Sequence, residues 1–298
     1  MTSLPTTKHF SFVTDTSSIT NPDLMISARR LTYCRRQFIF AQRTKGKYSK
    51  EQQLRFEEGT AKHEAIQSPY KTIDEMGYLE YRRQLYKGTK ISLKELKVLS
   101  TKEYMFGVID LFEVQFIDGI LNVWITEFKS GKRKHKNHFK QLTVYAMICS
   151  DIQPYLVFDV PYKRKEGNRQ VMGWMYPDHT KIKSINIKGR VYLIDEILIQ
   201  PFDDVVVNNE FTYNYSNMKK WVWNTRAEFR DLILQRTAEI ETIKYDKYCT
   251  KDNKSEWCGW KEECGRYGYC PKSKQLHISQ KKIADNKSDV LVKTNPKL

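Results

Sequence analysis

The stretch Gly107–Tyr145 decides the reading of this chain: G-V-I-D-L-F-E-V-Q-F-I-D-G-I-L-N-V-W-I-T-E-F-K, then S-G-K-R-K-H-K-N-H-F-K-Q-L-T-V-Y. Asp118-Gly119 sits between two alternating apolar runs, the strongest short-range signal for a two-residue β-hairpin turn. With Ile117 and Ile120 flanking the turn as a pair, the register extends outward to set Asp110 opposite Glu127. Lys129 shares the face of Glu127, because side chains alternate along a strand. Two carboxylates and an ammonium therefore gather at the end of a face that carries Phe112, Val114, Phe116, Leu121, Val123 and Ile125. A solvated strand end is the ordinary reading of such a pair. A divalent metal is the reading that explains polar groups collected at the end of an apolar face.

Other residues extend the pattern. Gln141 and Tyr145 stand four apart on a helix expected over 137–149, so they share one face. Upstream, E-E-G-T-A-K-H-E-A-I places His63 on an amphipathic helix, four residues after Gly59. In order, G-x-x-x-H, G-x-x-D, E-x-K and Q-x-x-x-Y make a set that resembles the RecB-like branch of the PD-(D/E)xK nuclease superfamily. E-x-K alone is a weak signal; the ordered set is a strong one. The resemblance covers about half the chain.

What the resemblance implies is an α/β fold. Its restriction-endonuclease-like core would have a central mixed sheet flanked by helices, stapled to helical N- and C-terminal segments by an iron–sulfur cluster. It also implies a site. Asp110 and Glu127 would bind Mg²⁺ or Mn²⁺ through oxygen, the donor hard cations prefer. His63 would add an imidazole and Phe128 its backbone carbonyl. Lys129 would orient the attacking water or stabilise developing charge, with Gln141 and Tyr145 holding Lys129 and the substrate strand.

Six cysteines occur, at 34, 149, 249, 258, 264 and 270. The first residues, M-T-S-L-P-T-T-K-H-F, lack the apolar core of a signal peptide, and no run is long enough for a membrane span. The expectation is a cytoplasmic, reducing setting with no membrane partner, where clustered cysteines mean metal more often than disulfide. Cys149 reads as a small core residue. By spacing alone, the C-x8-C-x5-C-x5-C run from Cys249 to Cys270 permits a structural zinc site, although zinc pairs are usually closer. The family resemblance points instead to a [4Fe–4S] cluster. S-A-R-R-L-T-Y-C-R-R-Q-F puts Cys34 in the N-terminal ligand position, and C-G-W-K-E-E-C puts Cys258 and Cys264 at the C-terminal one. The family's usual C-x2-C is absent, since Ser255 stands where its first cysteine belongs. The remaining ligand is Cys249 or Cys270, with Cys249 favoured. Such a cluster would close a very long loop, and a structural role is expected first.

A net charge of +16 and pI near 9.4 call for a polyanionic partner. Tyr and Trp alternate with Lys and Arg in Y-L-E-Y-R-R-Q-L-Y-K, M-K-K-W-V-W and C-G-R-Y-G-Y, a composition suited to unpaired bases as well as phosphates. The resemblance to iron–sulfur nucleases implies the substrate class, making the first reading a DNA exonuclease that acts on single-stranded ends or flaps. A helicase or another recombination or CRISPR protein is the expected partner, because no glycine-rich phosphate loop gives this chain a motor of its own. A structure-selective endonuclease and a DNA-end-binding scaffold are the competing functions.

Along the chain, 1–21 reads as a loosely ordered N-terminus, 22–272 as one nuclease domain and 273–298 as a basic, disordered tail. Within the domain, 22–68 reads as mainly helical, 78–86 as a strand and 102–150 as the catalytic hairpin and helix. Strands follow over 154–162 and 171–176, and a helix over 217–245.

Overall fold

A computed structural model describes residues 25–32, 37–38, 46–130, 136–151, 153–161, 168–194 and 215–234. In chain order the elements are β1 (Ile26–Ser27), α1 (Lys50–Gln67), α2 (Ile73–Met76), α3 (Tyr78–Tyr86), β2 (Ile91–Ser100), β3 (Met105–Ile117) and β4 (Ile120–Lys129). They continue with α4 (Lys136–Cys149), β5 (Tyr155–Pro161), β6 (Asn168–Trp174), β7 (Ser184–Leu193) and α5 (Tyr215–Leu234); short 3₁₀ turns occupy Arg30–Thr32 and His179–Lys181.

The hairpin forms as its sequence requires. Asp118 (φ 52°) and Gly119 (φ 85°) both take the left-handed conformation of a type I′ turn. Ile117 pairs with Ile120, and the register runs outward to Leu111 and Thr126. Phe112, Val114, Leu121, Val123 and Ile125 are all buried. Around this hairpin a seven-stranded mixed sheet assembles in the order β6-β5-β2-β3-β4-β7, with β1 parallel to the start of β3. β7 runs parallel to β4 over its whole length, and the other main pairings are antiparallel. The chain is thus a mixed α/β protein with helices packed on its central sheet.

Two glycines let helices settle on one side of that sheet. A Cβ at Gly107 would lie 2.5 Å from the Tyr145 ring of α4, and one at Gly173 would lie 2.6 Å from the Tyr78 ring of α3. Gly107, Val98, Leu156 and Gly173 form one cross-strand row, so the two rings cover the two ends of the same row. Cys149 ends α4 in the core, where burial pushes its thiol up to about 12, as expected of a small apolar residue.

The segment 78–86 is a helix, not the strand its aromatic content suggested. Tyr78, Tyr81, Arg82 and Leu85 are its buried residues, a spacing of three and four. Glu80 bonds to both Arg83 and Gln84 across one turn, which alternation along a strand would prevent. Within the region expected to be mainly helical, Ile26–Ser27 form a short strand that pairs with β3. α1 is a helix, but a polar one: Gln67 is its only buried residue, and Ile66 packs on the core from a half-buried position.

The chain divides into two compact units, Met1–Thr32 with Glu57–Ile233 and Tyr33–Phe56 with Leu234–Leu298; the whole sheet belongs to the first. Among the described residues no helix is long and apolar enough to cross a membrane.

Candidate functional site

Asp110 stands where the sheet's ladders break. On the β2 side, Lys94 pairs with Leu111 and Leu96 with Ile109, but Glu95 and Asp110 between them are unpaired. On the β4 side, pairing stops at Leu111–Thr126, one step short of Asp110 and Glu127. The alternation of buried residues slips by one at the same place, from Ile91 and Leu93 to Leu96 and Val98 in β2. Glu95 takes φ 49° there, a left-handed conformation that is costly for a residue with a Cβ.

Freed from the ladder, Asp110 finds other partners. Its backbone carbonyl accepts the side-chain amide of Gln67 at 2.9 Å, and its carboxylate Oδ2 accepts the backbone N–H of Phe128 at 2.7 Å. The first bond ties the end of α1 to β3 and the second ties β3 to β4. His63, one turn before Gln67, brings Nδ1 to 3.9 Å from the same Oδ2, with its ring edge-on to Phe128.

Glu127 is 1 % exposed. Its Oε1 is paired with the Lys129 ammonium, while Oε2 has no hydrogen-bond partner among the described residues. A buried carboxylate oxygen with nothing to accept is expensive. Burial, and then the charge of Asp110, push the Glu127 carboxyl up to about 8, against the pull of Lys129. Asp110 is also raised, chiefly by burial, with Lys129, the Phe128 N–H and His63 opposing. Burial lowers His63, although Asp110 opposes it, which keeps the imidazole neutral with a lone pair to offer. Two carboxyls that resist ionisation side by side, and a neutral imidazole, make a donor set that a hard divalent cation would stabilise.

Gln141 and Tyr145 serve the backbone. Gln141 donates to the Tyr145 hydroxyl at 2.8 Å, which donates to the Val108 carbonyl at 2.6 Å. With Gly107 under the Tyr145 ring, this clamp fixes β3 two residues before Asp110. Their side-chain bonds run to each other and to β3. Phe128 is buried against Leu111, Tyr192 and Ile194, and its N–H is committed to Asp110.

The structure thus brings His63, Asp110, Glu127 and Lys129 to the ladder break and sets Gln141 and Tyr145 behind it. Among the described residues no group of three His, Cys, Asp or Glu side chains is drawn tightly enough to hold a metal as it stands. Cys34, Cys249, Cys258, Cys264 and Cys270 lie outside the described residues. Gln67 and Glu95 escaped the sequence reading. Gln67 could have been flagged by its place one turn after His63; Glu95 becomes visible only once β2 is paired with β3. Compared with known proteins, the chain matches no family model and no curated protein sequence.

Proposed function

We propose that this chain is a divalent-metal-dependent nuclease with a PD-(D/E)xK core of the RecB-like kind. Its reaction is hydrolysis of phosphodiester bonds in DNA, at single-stranded ends or flaps, in repair, recombination or CRISPR-type end processing. The observation that carries this reading is the Oε2 of buried Glu127, without a hydrogen-bond partner among the described residues, beside Asp110 and His63 and within one ion pair of Lys129.

Asp110, Glu127 and His63 would hold Mg²⁺ or Mn²⁺, together with the Phe128 carbonyl. When bound, the cation acidifies a water and neutralises phosphate charge. The chain's own groups do the rest. The Phe128 N–H holds the Asp110 carboxylate in one orientation. The Gln141–Tyr145 clamp fixes the strand that carries it. Lys129 would place its ammonium where the extra negative charge at phosphorus builds up as water adds and the leaving oxygen departs. The [4Fe–4S] cluster is proposed on the resemblance of the segments around Cys34 and Cys258–Cys264 to those of iron–sulfur nucleases, with Cys249 favoured over Cys270 as the remaining ligand; the spacing of the last four cysteines alone leaves zinc as the alternative.

The Lys129–Glu127 pair also favours a second reading. A chain that keeps this pair closed binds DNA ends and does not cut them. Calorimetric titration with Mn²⁺ separates the two. The nuclease reading expects saturable binding that is lost in Asp110→Asn; the scaffold reading expects none. Digestion of linear but not circular single strands identifies the exonuclease, and cutting of both identifies an endonuclease.

A further inference from the structure

The sheet side opposite α3 and α4 holds an aromatic and apolar platform that leads to the ladder break, exposed at Phe106 and Val108 and buried at Leu99 and Met172, against which Met25 packs. Directly paired residues of antiparallel strands project to the same side. Phe106 pairs with Leu99, Leu99 with Tyr155 and Tyr155 with Trp174, giving one row across β3, β2, β5 and β6. The next row begins with Val108 and Lys97. These rows alternate with the Gly107 row that Tyr145 and Tyr78 cover, so they face away from those helices. Phe106 is 38 % and Val108 44 % exposed, although both lie in the middle of a sheet. Tyr155 and Trp174 are half-buried and stacked, with centroids 4.4 Å apart and planes 25° from parallel. One further step along β3, roughly 7 Å away, is Asp110.

We infer that this platform is the track on which unpaired bases of a single-stranded nucleic acid lie as the backbone reaches the site. The inference rests on the nuclease reading and deepens it by naming the strand's path. Charge supports that occupant: Lys97 sits within the rows, and the whole chain carries +16. Size supports it too. A few exposed apolar side chains fall far short of the 20–30 residues a side that a standard protein interface needs, roughly, but they match a short run of bases. Stacking on aromatic faces accepts any base, which suits a processing enzyme without sequence preference.

The test is fluorescence anisotropy of a fluorescein-labelled oligothymidylate titrated with full-length protein in EDTA, where no cleavage can occur. Tyr155→Ala and Trp174→Ala are each expected to weaken binding by roughly five- to a hundredfold. Trp174→Phe, which keeps a stacking face, should recover most of the affinity. Lys97→Ala should lower the salt slope by about one-half to one. If Trp174→Ala does not fold, the exposed-site variants Phe106→Ala and Val108→Ser carry the same comparison. Wild-type affinity in the folded variants overturns the platform. So does a dimer that dissociates in Val108→Ser, because the face would then belong to a second copy. Binding that depends on the platform without Mn²⁺-dependent cleavage leaves the track standing and removes the nuclease. Cleavage with unchanged binding in the variants does the reverse.

Discussion

Replacing Glu127 by glutamine should change how stability depends on pH. The carboxyl is pushed from its ordinary 4.5 to about 8, first by burial and then by Asp110. Between those values the folded chain binds a proton at Glu127 that the unfolded chain has released. Stability of the metal-free protein therefore falls as pH rises through that window, and the fall is complete above about 8. Each pH unit within the window is worth about 1.4 kcal/mol, so the full span amounts to at most about 5 kcal/mol. Glutamine has the same shape and does not titrate. Its own cost, an unpaired Lys129, is the same at both ends of the window. The assay is urea unfolding of both proteins in EDTA, at pH 5 and at pH 8.5. The wild type should lose at least about 2 kcal/mol more than Glu127→Gln between the two. Adding Mn²⁺ at pH 8.5 should restore the wild type and leave the variant unmoved, since only the wild type gains a ligand that binds its folded form. Parallel pH profiles for the two proteins would refute the reasoning, because they would mean that Glu127 ionises as easily folded as unfolded.

Three further substitutions probe the scaffold of the site. Gly107→Ala forces a methyl to within 2.5 Å of a Tyr145 ring whose hydroxyl is pinned to Val108; thermal or urea unfolding should register a loss of about 1–3 kcal/mol. Gln67→Leu leaves the Asp110 carbonyl without its donor and should cost about 1–3 kcal/mol, with Mn²⁺ affinity measured by calorimetry falling alongside as α1 loses its tie to β3. Glu95→Gly relieves the φ of 49° and should raise the urea midpoint by the equivalent of about 1 kcal/mol. A drop in that midpoint would show that the Glu95 side chain, and not its backbone, keeps the ladder open.

What was legible in the sequence follows from how local each signal is. The turn at Asp118-Gly119 needs only two residues with positive φ, and it fixed the register that brings Asp110 to Glu127. The i, i+4 placement of Gln141 and Tyr145 was equally local. The partner of Tyr145 was not, because the Val108 carbonyl is offered by a strand 37 residues away, over a glycine whose role is to make room. The segment 78–86 misled because its tyrosines favour strands by composition, while the burial of Tyr78 depends on the glycine of β6 that receives its ring. β7 gave no clear signal in S-I-N-I-K-G-R-V-Y-L, whose pairing with β4 is parallel and has to be reached across a long connection. Most hidden of all was the slip in alternation at Glu95 and Asp110. β2 carries its sign in the polar doublet Lys94-Glu95 between Leu93 and Leu96, but the unpaired Asp110 it leaves appears only where the two strands are set side by side.

Cleavage of single-stranded DNA by the anaerobically purified full-length protein tests the central claim most directly. Wild type, Asp110→Ala and Lys129→Ala are compared with Mn²⁺, with Mg²⁺ and with EDTA. The wild type should digest the strand with either cation and not in EDTA, and each variant should lose at least about a hundredfold. Folded wild-type protein that binds the strand in a salt-sensitive way and leaves it intact with both cations would contradict it.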